Sequence, residues 1–156
     1  MLRVVAAVAN GGDVLVPRVV REIRDADDHV LVPNTPRIAS HVPISPDNFA
    51  IMREALRQAV SWGTAKNGAV RGVEVGGKTG TAEFGERRPD GSYETHGWFS
   101  GFAPADNPQI AVTVFLERGI GATHAAPVAA KILDYYFYRG GEQRVDAGAV
   151  ASGRVP

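Results

Sequence analysis

Gly76-Gly77-Lys78-Thr79-Gly80-Thr81-Ala82-Glu83 gathers the side chains in this sequence best suited to holding an anion. Glycines on both sides of the lysine let a backbone come close to a ligand. The ammonium supplies a compact positive charge, and the two threonine hydroxyls can donate or accept hydrogen bonds.

Two short patterns overlap here. From Gly72, the run Gly72-Val73-Glu74-Val75-Gly76-Gly77-Lys78-Thr79 satisfies G-x-x-x-x-G-K-[ST], the phosphate loop of nucleotide-hydrolysing enzymes. From Lys78, the same residues are a Lys-Thr-Gly element, a motif of serine acyl-transfer chemistry. The flanking elements must decide between them.

With 156 residues, 44% hydrophobic and 22% charged, the chain has ordinary globular composition and length for one domain or most of one. Seventeen basic residues balance seventeen acidic ones, which argues against nucleic acid as a partner because phosphate neutralisation needs a basic excess. Without cysteine there is neither a disulfide nor a thiolate metal site. His29, His41, His96 and His124 lack metal-site spacing and read as surface or strand residues, so neither metal nor cofactor is expected. No run approaches the length of a membrane span, and no export signal follows Met1.

Leu2, Val5, Ala6 and Ala9 mark one face of a helix with no capping residue before it, so the sequence is expected to open inside a larger fold. Asn10-Gly11-Gly12 should stop that helix. Val14 to Val20 is β-branched but contains Pro17, which suits an edge strand or connector. Asp25 to Asp28 reads as a turn before a hairpin arm at His29 to Val32. Pro33, Pro36 and Pro43 predict an extended, irregular segment. Ser45-Pro46-Asp47 then opens the clearest helix. Its face of Phe49, Met52, Leu56, Ala59 and Val60 should be buried, and Gly63 should end it.

Beyond the motif, Phe84 to Thr95 reads as a long hairpin connection around Pro89-Asp90-Gly91. His96 to Phe102 and Ile110 to Leu116 read as strands, the latter covered on both faces, so the motif should lie on the first strand of an antiparallel meander. Pro127 opens a last helix that should pack Val128, Ile132, Leu133 and Tyr136 on the meander and end at Gly140-Gly141. The remaining residues are small, polar and aperiodic, so 140–156 is expected to be a flexible tail.

The phosphate-loop pattern lacks its context. No buried strand precedes Gly72, and Gly80-Thr81-Ala82-Glu83-Phe84-Gly85 is too short and glycine-broken for the helix that must follow. The Lys-Thr-Gly pattern needs a strand with antiparallel neighbours, which the downstream residues supply. In this order, Asn10-Gly11-Gly12 after a helix, Lys78-Thr79-Gly80-Thr81-Ala82-Glu83, the two strands after it and Ala125-Ala126-Pro127-Val128-Ala129 resemble the C-terminal part of a class B penicillin-binding protein transpeptidase domain. The turn Phe102-Ala103-Pro104-Ala105-Asp106-Asn107-Pro108 resembles the elongation type most closely.

The resemblance implies an α+β fold of the β-lactamase and transpeptidase kind, an antiparallel sheet packed with helices, of which residues 1–139 are the C-terminal portion. It implies serine acyl transfer on D-alanyl-D-alanine stem peptides of peptidoglycan, with β-lactams as inhibitors, at the extracytoplasmic face of the bacterial membrane. The N-terminal remainder of the same protein and a cell-wall glycosyltransferase are the implied partners. Carried onto this sequence, Lys78 would set the positive field and join the proton network, the Thr79 and Thr81 hydroxyls would bind the terminal carboxylate, the Thr81 amide would face the oxyanion, and Gly80 would admit the substrate backbone. Alternation puts Lys78 and Gly80 on one face and Thr79 and Thr81 on the other, so a site using all four must lie along the strand's edge.

One departure matters. Lys66, Lys78 and Lys131 are the only lysines and none has serine three positions before it, so the S-x-x-K nucleophile and base are absent, and S-x-N is absent too. Ser45-Pro46-Asp47 is explained better as a helix cap. This chain alone is not expected to acylate. The alternatives are a non-catalytic module that pairs peptide or protein with the strand edge, in which Lys78 is a solvated strand-end lysine, and the phosphate-loop protein. His96 and Trp98 are expected beside the cleft or simply packed, and Arg87 and Arg88 in a solvated loop.

Overall fold

The computed structural model describes residues 1–139. Helix α1, Leu2–Ala9, buries Val5, Val8 and Ala9. It stops at Asn10, whose Oδ1 accepts from the amides of Gly12 and Asp13 at 3.2 and 2.9 Å. Gly11 and Gly12 follow with φ of 83° and 120°, a region that side chains other than glycine rarely adopt.

Two short ribbons come next. Strand β1, Asp13–Leu15, pairs antiparallel with β4, Ile38–His41, while β2, Glu22–Arg24, and β3, Val30–Pro33, form a hairpin between them. The hairpin arm read at His29 to Val32 is present as Val30–Pro33, and its partner across the Asp25–Asp28 turn is Glu22–Arg24. The proline-rich segment also departs from an irregular reading: Ile38–His41 lies between Pro36 and Pro43 without including either, so every residue keeps its amide and can pair. At the hairpin tip Asp25, Asp27 and His29 come together, and Asp25 Oδ1 accepts from the amides of Asp27 and His29 at 3.0 and 2.8 Å. Turn formation explains that cluster.

Helix α2, Pro46–Ser61, starts as its sequence directs. Ser45 Oγ accepts from Asn48 N at 3.3 Å, a cap typically worth about 1 kcal/mol. Phe49 and Val60 are buried, Leu56 and Ala59 are partly so, and Met52 is exposed, which narrows the expected stripe to the ends of the helix. On its outer face the Arg57 guanidinium chelates Glu54, with N···O distances of 2.7 and 2.8 Å, and Gln58 donates to the same carboxylate. Hydrogen bonding from Arg57 first, then Gln58, lowers the Glu54 pKa to about 2. A depressed carboxylate stabilises the fold above its unfolded pKa and loses that contribution as pH falls through the folded value. The difference in stability between wild type and Glu54→Gln should therefore be present at neutral pH and vanish between about 4.5 and about 2, as read by denaturation across that range.

The core is organised by β5, Gly76–Phe84, β6, Glu94–Ala103, and β7, Ile110–Leu116, in the order β5-β6-β7. All pairs are antiparallel, with Lys78 opposite Ser100 and Ser100 opposite Thr113. The predicted meander is thus observed, with the motif on an edge strand among the described residues. One face carries Phe99, Val112 and Val114 and is covered by α3, Ala126–Asp134, and by Val60 and Ala65 around the end of α2. The other carries Phe102, packed against Val5, Val8 and Ala9 of α1.

Two details differ from the sequence reading. Coverage of β7 is incomplete: α1 reaches Ala111, but Phe115 at the far end is 47% exposed, its ring tilted against those of Trp98 and His96. Helix α3 also turns a different side inward. Leu133 is buried as expected and Tyr136 lies half-buried just past the helix, but Val128 and Ile132 are exposed while Ala125, Ala126 and Ala129 are fully buried. Small side chains let the helix lie close on the sheet, and a wide turn at Gly121–Ala125 that runs into Ala126 sets the rotation. In that turn the Ile120 carbonyl accepts from both His124 N and Ala125 N. The expected stop at Gly140-Gly141 and the flexible tail 140–156 lie outside the described residues.

Candidate active site

The glycines of the motif have different physical reasons. A Cβ at Gly76 would lie 2.7 Å from the Phe102 ring, and one at Gly77 would lie 2.6 Å from the Phe99 ring, so these two positions are glycine because aromatic rings fill the space on either face. They are packing glycines, a correction to their reading as ligand-facing. Gly80 is the exception: its Cβ would meet Trp98 Cβ at 3.4 Å, an ordinary contact.

Gly72 takes φ 75° in a turn, and Gly76–Phe84 then runs as one strand. No helix follows Thr79, so the phosphate-loop pattern has no dipole end to offer a phosphate.

Strand chemistry makes the edge. Gly76 O lies toward Gly101 on β6, and Ser100 O lies toward β5 near Gly77. In an antiparallel ladder the N–H and C=O of one residue point the same way and residues two apart share that direction. The Gly76, Lys78 and Gly80 backbones therefore pair inward, and those of Thr79 and Thr81 point to the free edge. Lys78 follows: its side chain is exposed and bends so that Nζ donates to the Thr79 carbonyl at 2.8 Å. Its ammonium takes part in no ion pair among the described residues, which leaves its charge available at the edge.

The threonine hydroxyls sit on the opposite face from the Lys78 side chain, as alternation requires. Thr79 Oγ1 donates to Thr64 Oγ1 at 3.2 Å, and Thr81 Oγ1 accepts from Gly121 N at 3.1 Å. Thr64 and Gly121 were not legible as neighbours of this strand. The Gly119-Ile120-Gly121 spacing is the one available signal, since a glycine pair beside an apolar strand marks close backbone approach. Here a Cβ on Gly121 would fall 2.3 Å from Gly80 O, and one on Gly97 would fall 3.0 Å from the Ile120 carbonyl carbon.

His96 and Trp98 extend the Lys78 face along β6. His96 stacks on Phe84 with centroids 3.8 Å apart and places Nδ1 2.6 Å from the Glu117 carbonyl; Trp98 packs on Phe115 at 4.4 Å. Both are packed aromatics. Arg87 donates to the Gly91 carbonyl and Arg88 pairs with Glu94, so these two charges are used inside their own loop and strand. Ser45 caps α2 and is not part of this edge.

These elements, in this order, match known proteins. Residues 1–134 match the penicillin binding protein transpeptidase domain. The chain is 33% identical over 145 residues to peptidoglycan D,D-transpeptidase MrdA of Haemophilus influenzae, covering 81% of this chain and 21% of that protein. It is 36% identical over 137 residues to stage V sporulation protein D of Bacillus subtilis, covering 83% and 21%. Penicillin-binding protein A from M. tuberculosis, solved as a ceftriaxone acyl-enzyme complex, superposes with a TM-score of 0.74 at 29% identity, covering 85% of this chain and 30% of that one. The chain thus spans about a fifth of the length of these curated relatives. With nearly all of its ordered elements inside the match, the chain belongs to the penicillin-binding protein transpeptidase domain family, alongside its class B members.

Proposed function

We propose that this chain supplies one wall of a peptidoglycan D,D-transpeptidase site, and that residues 1–139 are the C-terminal part of its catalytic domain. The observation that carries this is the edge of β5, where the Thr79 and Thr81 backbones face outward together with the Lys78 ammonium, which is in no ion pair among the described residues. A serine from the remainder of the protein attacks the penultimate D-alanine carbonyl. Its Oγ–C bond forms, and the peptide C–N bond breaks as the amine leaves protonated. An acceptor amine then displaces the serine and forms the new amide.

This chain binds and stabilises. The Thr81 amide faces the developing oxyanion, a contribution that each such donor typically makes at about 10²–10³-fold in rate. Lys78 provides the positive field, and the Thr81 hydroxyl holds the terminal carboxylate, joined by the Thr79 hydroxyl once its proton turns away from Thr64 Oγ1. Gly80 leaves room for the substrate backbone along the edge. β-Lactams mimic the same dipeptide end, as the acyl-enzyme complexes of penicillin-binding protein A illustrate for that protein. Resemblance to elongation-type members supports a role at the extracytoplasmic face of the membrane, with a cell-wall glycosyltransferase as partner. No helix among the described residues is long and apolar enough to cross a membrane, so the anchor is assigned to the remainder of the protein.

The test is D-alanine release by the full-length protein from a stem peptide ending in D-Ala-D-Ala. Release with formation of a cross-linked product is the expected result. Binding of the peptide without release would replace the enzyme by a non-catalytic module at the same strand edge. Gly80→Ala separates fold from function within this test. Its added methyl meets only an ordinary contact at Trp98, and alanine restricts the unfolded chain more than glycine, so the melting temperature should hold or rise. Turnover should fall on the order of 10²-fold, because the methyl stands where the substrate backbone must lie.

A further inference from the structure

The turn that follows β7 reaches back across the sheet to the candidate carboxylate-binding hydroxyl, and its anchoring suggests a residue that neither the motif nor the fold alone assigns. Three contacts define it. Gly121 N donates to Thr81 Oγ1 at 3.1 Å, Asn67 Nδ2 donates to Ala122 O at 2.8 Å, and Gly121 has no Cβ because one would meet Gly80 O at 2.3 Å.

A threonine hydroxyl has one proton to donate and two lone pairs. Once a lone pair of Thr81 accepts the Gly121 amide, the hydroxyl rotor is no longer free to turn its proton toward the turn, and that proton has no acceptor among the described residues. It is therefore available to a carboxylate lying along the edge. The orientation depends on where the Gly121 amide sits. The sheet side of the turn is fixed by Gly119, whose N–H donates to Thr95 O and whose O accepts from Thr95 Oγ1 at 2.8 Å. On the other side Asn67, in the short helical turn Lys66–Gly68 after α2, provides the side-chain tether, 55 residues away in sequence.

We infer that Asn67 is a positioning residue for ligand-carboxylate recognition: by tethering the Gly121–Ala125 turn through the Ala122 carbonyl, it holds the Gly121 amide on Thr81 and so aims the Thr81 hydroxyl proton at the carboxylate. The inference rests on the transpeptidase reading. It assigns Asn67 no contact with the ligand and none with the reacting atoms.

The test uses full-length protein and the second-order acylation rate with two probes, benzylpenicillin and its carboxylate methyl ester. Asn67→Ala should lower the rate with benzylpenicillin about tenfold, the equivalent of one hydrogen bond of about 1.4 kcal/mol, and leave the rate with the ester at the wild-type value. Asn67→Asp, which keeps the volume but cannot donate to Ala122 O, should behave as alanine does. In the Thr81→Val background, Asn67→Ala should cost nothing further, because residues that act through one another are not additive. Equal loss on both probes would make Asn67 merely structural and overturn the inference, as would no loss on either or full additivity with Thr81→Val. If wild-type protein forms no adduct, the transpeptidase reading itself falls and takes this inference with it, a result distinct from all of these.

Discussion

Lys78→Ala in the full-length protein should slow β-lactam acylation on the order of 10²–10³-fold while leaving the fold unchanged. The side chain is exposed and its nitrogen contacts only a backbone carbonyl, so truncation opens no cavity and orphans no buried partner. The stability change should stay within about 0.5 kcal/mol, as for surface positions generally. What is lost is an ammonium that pairs with no carboxylate among the described residues, at the strand edge where the proposed reaction would develop negative charge. Lys78→Arg should recover only part of the rate, because a planar fork does not place its charge where a compact ammonium does. Stopped-flow acylation with a fluorescent β-lactam measures both variants. An unchanged rate for Lys78→Ala would remove the residue from the mechanism.

The second large effect lies under the strand rather than on it. Phe99 is fully buried, and its ring fills the space that side chains at Gly68, Gly77 and Gly101 would otherwise claim, at 2.5, 2.6 and 2.9 Å from their notional Cβ atoms. Phe99→Ala should destabilise the domain by about 3–5 kcal/mol, the usual range for a buried aromatic deleted to alanine. The cavity would open directly beneath Gly77, one residue from Lys78, and three flanking glycines offer no side chains to collapse into it. Denaturant unfolding of the full-length protein reads the loss. A cost below about 1 kcal/mol would mean that the ring is not the support of β5 that its packing makes it.

How far the sequence reached can be judged from particular residues. Local chemistry was readable where one residue type has one use: Asn10-Gly11-Gly12 stopping α1, Ser45 capping α2, and the strand character of His96 to Phe102 and Ile110 to Leu116. Because β5 comes first in the meander, its place at the edge followed from strand order, and so did the outward edge on which the reading of Lys78, Thr79, Gly80 and Thr81 depends.

What could not be read was set by contacts distant in the chain. Gly76 and Gly77 looked ligand-facing until Phe102 and Phe99 were seen against them from β6. Strand β4 was hidden by the prolines flanking it, since pairing with β1 depends on a chain reversal that no local pattern encodes. The buried side of α3 was misjudged because the wide turn before it sets the helix rotation, and that turn is shaped by packing of Gly121 on Gly80 and Trp98. Thr64, Asn67 and Gly121 reach β5 or its neighbouring turn across 15, 55 and 40 residues, and beyond the Gly119-Ile120-Gly121 spacing nothing in their own sequence surroundings announces it.

The central claim is that this edge strand is one wall of a serine acyl-transfer site whose nucleophile lies elsewhere in the same protein. Intact-mass and peptide mapping of full-length protein after benzylpenicillin treatment addresses it most directly. The account predicts one covalent adduct, on a serine of an S-x-x-K motif outside residues 1–156. Absence of any adduct, or an adduct on a residue within this chain, would contradict it.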